Sequence, residues 1–241
     1  MNKLITIVSL IAALGTSAFA ANSTTNNLDS PIQASIKGGY STEYLVYGVT
    51  YASDAPFAGF AIQAEYFGIE FGVNGIATPS SNGLNQSAWG IGLGKNFKVT
   101  QNVSAHLTGE VRRYLTGTSP VPDTTFSEVG LALENSLVTP YVKGAYGVEV
   151  NQYGVVAGAK KDINVLKLFT LTPTFEYGYF NDYQYYLGKV GISKVFFNHL
   201  EVFAEGAYVD NNFNTGTAPV NFALKSLNGE FIGTGGVRWN F

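Results

Sequence analysis

Ser104, His106 and Glu110 fall on alternate positions of one short run, SAHLTGE. A hydroxyl, an imidazole and a carboxylate on one strand face are the parts of a nucleophile, base and orienter set, and lipid hydrolysis is the chemistry they would serve. Two features oppose it. The alternation turns all three side chains to the charged side of the strand, away from lipid. The run also begins beside a short turn, at the end of the strand opposite the longer loops. The chain is therefore read as no enzyme. It carries two histidines and no cysteine, so neither a metal site nor a disulfide is expected. Gly90-Ile91-Gly92-Leu93-Gly94 is glycine-rich, but no basic loop or helix start follows it as a phosphate cradle requires, and no cofactor is expected.

The other candidates are charges that recur in one phase of an alternating pattern. In the first half of the chain they are Lys37, Glu43, Glu65, Glu70, Glu110 and Arg112. In the second half they are Lys143, Glu149, Lys160, Glu176, Lys189, Glu205 and Arg238. On a lipid-facing wall each would cost roughly 2–4 kcal/mol at mid-depth. Confined to one phase, they are expected to line the inside of a barrel instead. There they either edge an aqueous passage for small solutes, with Glu in excess giving a mild preference for cations, or pair into a network that plugs the lumen.

Such rows need strands to carry them. From Pro31 onward the chain divides into segments of about ten to fourteen residues with period-two alternation, the length that crosses a bilayer at a tilt. The first is expected near Gln33 to Tyr47, reversed by Asp54-Ala55-Pro56, and the second over Phe57 to Tyr66. Phe67-Gly68, Asn135-Ser136 and Phe197-Asn198 read as short turns. Thr78 to Ser87, Gly117 to Thr125 and Asp210 to about Leu227 read as longer loops at the opposite end. About twelve strands result. Bulky residues such as Trp89, Ile91, Phe169 and Phe175 hold the opposite phase, and Pro140 sits awkwardly in its strand for want of an N–H. An all-β, antiparallel, up-and-down transmembrane barrel is the fold that leaves no edge unpaired in lipid.

The ends of the chain agree. Met1 to Lys3, the apolar run Leu4 to Leu14 and Ala18-Phe19-Ala20 read as a secretory signal peptide over residues 1–20, too short in its apolar core to span a membrane. Residues 21–30, ANSTTNNLDS, read as a flexible periplasmic lead-in, and 31–241 as the barrel. The last strand, FIGTGGVRWNF, puts Val237, Trp239 and Phe241 on its apolar face. It resembles the C-terminal assembly signal of bacterial outer-membrane barrels, which implies recognition by the barrel-assembly machinery. With 13% charged residues, 28 Gly, 15 Tyr and 17 Phe, the composition suits a surface against outer-membrane lipid and lipopolysaccharide. A net charge of −3 offers no basic stripe for nucleic acid.

Gly38 to Val49, GGYSTEYLVYGV, resembles the opening of the TorF-like porins, in which a first strand ends in a Tyr-hydrophobic-aromatic-Arg-Gly pattern before a polar loop and a glycine-rich second strand. Tyr44, Leu45, Val46 and Gly48 fit, and PFAGFAIQAEYFGIEFGVNGIA continues in that style. Tyr47 stands where those proteins carry Arg. The resemblance implies a general porin-like role in the outer membrane of a Gram-negative bacterium, with no assigned substrate. A passive channel is thus the first reading. The alternative is a closed structural barrel whose loops meet lipopolysaccharide, a phage or another cell.

Overall fold

On every strand, residue parity decides which side of the wall a side chain meets. Along Ile32–Val46 (β1), Ile36 and Tyr40 project outward while Lys37 and Ser41 point in. Along Ser104–Thr116 (β5), Leu107 and Val111 project outward while His106, Glu110 and Arg112 are buried. The structure, a computed structural model, describes residues 9–10, 21–22, 32–47, 49–79, 85–116, 123–134, 137–181, 183–212 and 229–241. Side chains are described for these except 9–10, 21–22, 43–44, 49–53, 79, 85 and 116.

The remaining strands are Val49–Tyr66 (β2), Ile69–Pro79 (β3), Asn85–Lys98 (β4), Thr124–Glu134 (β6) and Thr139–Gly147 (β7). Gln152–Lys160 (β8), Phe169–Phe180 (β9), Tyr183–Phe196 (β10), Leu200–Asn211 (β11) and Glu230–Asn240 (β12) complete the set. Each strand pairs antiparallel with the next, and β12 returns to β1 through Trp239 opposite Ile36 and Arg238 opposite Lys37. Ile163–Val165 continues β8 beyond a two-residue break and pairs with the start of β9. The result is a closed barrel of twelve strands. Closure gives every strand two neighbours, the condition a sheet must meet in hydrocarbon.

Among the described residues, the outward phase carries large exposed apolar side chains. Val129, Tyr153 and Phe231 are 62%, 63% and 84% exposed, and Phe60, Trp89, Val155, Phe175, Val190 and Val202 extend the apolar belt around the wall. A contiguous belt of that extent is a surface for lipid. Among the described residues no helix is long and apolar enough to cross a membrane; strands make the crossing.

At one end the strands are joined by tight turns. Phe67 and Gly68 both hold positive φ, 52° and 70°, as do Leu166 and Lys167, and Phe197 and Asn198. Such left-handed pairs match the twist of the flanking strands. Leu168 N–H closes its turn on Val165 O at 2.8 Å. Both β1 and β12 have their free ends here, where Phe241 N–H donates to Ala34 O at 2.9 Å. We call this the inner end, since short turns face the periplasm in such barrels.

The opposite, outer end departs from expectation in two ways. The β1–β2 hairpin reverses between Val46 and Val49, with Tyr47 in its turn, not at Asp54-Ala55-Pro56, which lie within β2. Asp54 takes φ 46° and a register shift follows at Tyr44/Leu45. A single left-handed residue irregularly kinks the strand without turning it, because the pairing of Tyr40 with Pro56 and Ser41 with Ala55 continues past it. The β7–β8 and β9–β10 connections are as short as those at the inner end. The longer loops fall largely on residues 80–84, 117–122 and 213–228, outside the described residues, as does the turn at 135–136.

The β6–β7 ladder ends with Ala132 opposite Tyr141, one residue short of Pro140, so the missing N–H of the proline meets no ladder partner there. Of the expected signal peptide and lead-in only Ser9–Leu10 and Ala21–Asn22 are described, as a two-residue ladder. The rest of residues 1–31 lies outside the described residues.

Candidate functional site

The inside of the barrel divides along its axis into a polar part and an apolar part. The polar part is built from charges that the strand register brings side by side. Arg238 on β12 lies opposite Glu201 on β11 and donates from Nη1 to Oε2 at 2.6 Å, its guanidinium 5.8 Å from the Phe203 ring. Lys189 on β10 meets Glu205 on β11 at 3.0 Å. On β5, Glu110 and Arg112 stand two residues apart and pair at 2.6 Å. Asn74 of β3 reaches across β4 to both, donating to Glu110 Oε1 and accepting from Arg112 Nη2, each at 3.2 Å.

That reach explains the glycines of β4. A Cβ at Gly90 would lie 2.5 Å from Glu110 Oε1, and one at Gly94 2.8 Å from His106 Nε2. Side chains from the strands on either side lie flat over β4 because it has none of its own in the way. The glycine-rich run is thus a recess in the wall.

His106 approaches Glu70 at 3.2 Å, and Glu70 also accepts from Asn96 Nδ2 at 2.7 Å. Glu110 is occupied by Arg112. Ser104, His106 and Glu110 therefore do not assemble into a relay: the imidazole's carboxylate partner is Glu70 on β3. Glu176, 1% exposed, accepts from the hydroxyls of Tyr141 at 2.8 Å and Tyr185 at 2.6 Å. Lys37 Nζ stands 5.7 Å from the Phe57 ring and Lys143 Nζ 5.6 Å from that of Tyr141.

Toward the inner mouth, Glu65 lies opposite Glu70, and both it and Lys160 are half-buried. Glu134 pairs in register with Ser104 at the same end. The charges expected to point inward are buried or half-buried on their strands, with two exceptions. The side chain of Glu43 lies outside the described residues. Glu149 is not on the wall but exposed in the turn after β7, where Thr125 donates to it from its N–H at 2.5 Å and from its hydroxyl at 2.9 Å. Partial burial pushes the Glu149 carboxyl up, but those two bonds, its own backbone and Arg113 outweigh it, so it ionises below the usual carboxylate range. The alternation was carried two residues too far here, past the end of β7 at Gly147.

The apolar part occupies the outer half. Leu45 and Tyr47 from β1 and its turn meet Tyr114, Phe126, Val150, Phe180, Tyr183, Tyr185, Val209 and Ile232 inside the wall. The Tyr47 ring lies 4.9 Å from Phe126 and 5.0 Å from Phe180, tilted by 51° and 52°. Phe180 stacks on Tyr183 at 5.1 Å, and Tyr183 donates its hydroxyl to the Tyr47 carbonyl at 3.2 Å. Val156, Tyr185 and Val209 are 0% exposed, so this half of the lumen is filled.

Sequence reasoning missed this plug because it looked for bulky residues, such as Trp89 and Phe175, only in the outward phase. The signal was present in parity: Leu45 and Tyr47 share the phase of Lys37 and Ser41, and Tyr185 and Leu187 that of Lys189. On the lipid side Val237, Trp239 and Phe241 are 49%, 41% and 57% exposed, and Trp239 stacks on His199 at 5.9 Å.

A twelve-strand closed barrel with an apolar outer belt and a charged interior is the fold of outer-membrane β-barrels. Solved structures share the fold. The KdgM porin aligns with a TM-score of 0.55 at 10% identity, covering 86% of this chain and 99% of that one. The KdgM porin in complex with disordered oligogalacturonate aligns at 0.56 and 11% identity with the same coverage. No family model matches the sequence, and no curated protein matches it.

Proposed function

We propose that this protein is a porin-type channel for small hydrophilic solutes, held closed at its outer end by the Tyr47 plug. The observation that carries the reading is the row of ionised pairs kept inside the wall. Replacing buried ion pairs by well-packed apolar residues is often neutral or stabilising, so a barrel that only needed filling would gain nothing from Glu201–Arg238, Glu205–Lys189 and Glu110–Arg112. Ionisable groups at membrane depth mark a path for water, ions or polar solutes by default.

Within this reading the mild cation preference rests on Glu65, Glu70 and Glu134 at the inner mouth, since Glu110, Glu201 and Glu205 are matched by Arg112, Arg238 and Lys189. Kinship with the TorF-like porins rests on the Gly38 to Val49 stretch, with Tyr47 in the place of their Arg. Contact with lipid and lipopolysaccharide rests on the apolar belt, and handling by the barrel-assembly machinery on Val237, Trp239 and Phe241. No catalytic role is assigned to His106.

The filled outer half favours a second reading, a permanently closed structural barrel. Single-channel recording of residues 21–241, refolded and checked by heat-modifiable gel migration, separates the two. The wild type is expected to conduct in rare or small steps, and Tyr47→Gly to conduct in steps several times larger. Glycine takes the positive φ of this position without strain. Folded protein that conducts in neither form would establish the closed barrel.

A further inference from the structure

Charges are scarce on the lipid side of the wall, and the fold sorts them by end. Among the described residues, the charged positions of the outward phase are Asp54 on β2, Lys95 on β4, Arg113 on β5, Lys194 on β10 and Asp210 on β11. Asp54, Asp210 and Arg113 lie toward the outer end, where Arg113 meets Asp123 at 3.5 Å. Toward the inner end stand only the lysines.

Both lysines are set in the same way. Each stands between an apolar residue and a phenylalanine on its own face: Leu93, Lys95 and Phe97 on β4, and Ile192, Lys194 and Phe196 on β10. In both, Nζ lies over the ring of that phenylalanine, at 5.4 Å for Lys95 and 5.1 Å for Lys194. The phenylalanine is the residue nearer the inner end of its strand, so each side chain bends toward the inner edge of the belt. A lysine bends this way to bring its charge to the headgroup layer while its stem stays on apolar surface. The register partners of the two lysines are Leu107 and Val202. Among the described residues neither ammonium pairs with a carboxylate.

We propose that Lys95 and Lys194 are docking points for an anionic phospholipid of the inner leaflet. Each ammonium donates to the phosphate of one headgroup, and the apolar residue beside it lies against the acyl chain. Charge complementarity selects this occupant. A cation on a lipid face is tolerated near the interface and not at mid-depth, and an anionic headgroup brings the counter-charge that the wall lacks there. A zwitterionic headgroup brings a cation of its own. The outer end, with two aspartates and a paired arginine, has no matching dock.

The dock at Lys194 has a reporter. Phe196 is opposite Leu200 and Leu200 opposite Trp239, so Trp239 stands in the same row of lipid-facing residues. Trp89, the other of the two tryptophans, lies toward the outer end of β4. The inference rests on the reading of the apolar belt as a lipid surface, and the experiment tests the two apart. Refolded Trp89→Phe protein, checked by heat-modifiable migration, is placed in phosphatidylcholine vesicles containing either dibrominated phosphatidylglycerol or dibrominated phosphatidylcholine. Bromine in a neighbouring acyl chain quenches Trp239.

The brominated phosphatidylglycerol is expected to be preferred about fivefold, the effect of one lysine near an anionic surface. Lys194→Gln is expected to bring the two lipids to parity and Lys194→Arg to keep the preference. Lys95→Gln, six strands away in the closed order, is expected to leave it unchanged. Equal quenching by the two lipids without further substitution, or a preference that Lys194→Gln leaves intact, overturns the dock and leaves the lipid belt standing. Quenching by neither lipid overturns the belt and the dock together. Native mass spectrometry of the protein released from micelles with phosphatidylglycerol reads Lys95: Lys95→Gln is expected to retain fewer lipids than the wild type, and equal retention removes Lys95 as a dock.

Discussion

At Gly154 the presence or absence of one carbon decides whether the lumen can be built. Phe180 rests on this position from the neighbouring strand, with Val155 opposite Tyr179 and Gly154 opposite Phe180 in register. An added Cβ would overlap the Phe180 ring, and the ring has no free space to retreat into, being 1% exposed and packed on Tyr47 and Tyr183. Gly154→Ala is therefore expected to destabilise the folded barrel by about 1–3 kcal/mol, the ordinary cost of overpacking. Reversible urea unfolding in lipid vesicles, followed by tryptophan fluorescence, measures it. A change under half a kilocalorie would mean that Phe180 swings aside freely and that the plug is looser than its burial implies. Gly144 on β7 and Gly188 on β10 face outward, where a Cβ would meet nothing, and the same change there provides neutral controls.

The seam between β1 and β12 carries the corresponding argument at the scale of the element. Gly39 faces Gly236 across it, with Gly38 opposite Val237 and Gly235 opposite Tyr40. A Cβ on Gly39 would strike the Gly235 carbonyl, and one on Gly236 the Gly38 carbonyl. Backbone cannot yield as a side-chain tip can. Gly236→Val is expected to prevent the last ladder from forming, so that the chain loses heat-modifiable migration, while Gly233→Val, at an open position on the same strand, keeps it. Equal migration of the two would show that the seam tolerates a side chain and that closure is set elsewhere.

Much of this was legible in the sequence. Period two gave the strands, their number and the side each residue faces, because one wall meets lipid and the other does not. Three things were not legible. The reversal between Val46 and Val49 was hidden by Asp54-Ala55-Pro56, whose turn chemistry is overridden by cross-strand pairing. Glu149 fell in phase but beyond the strand end. The aromatic plug was hidden because Tyr and Phe serve lipid and lumen equally well, and only parity counted through the bulge separates them.

For the whole molecule, the decisive feature is the gradient from acidic inner mouth to apolar outer half. Glu65 and Glu70 face each other across the β2–β3 hairpin, and Glu134 ends β6 at the same rim. Beyond them Glu110, Glu201 and Glu205 are matched by Arg112, Arg238 and Lys189. Under the channel reading proposed above, a solute entering from the inner side meets these three carboxylates, with Lys160 beside Glu134, before the paired charges. A field set at a wet rim is screened by salt, with a Debye length of about 10 Å at 0.1 M and about 3 Å at 1 M. Current through the Tyr47→Gly channel is accordingly expected to reverse on the cation-selective side in a KCl gradient centred near 0.1 M and to lose most of that preference near 1 M. Glu65→Gln combined with Glu134→Gln is expected to bring the low-salt reversal potential toward zero without changing the step size, because neither residue narrows the lumen. If selectivity instead survives both high salt and the paired substitution, the preference comes from the buried pairs. Arg238 and Glu201 would then be shown to part during conduction.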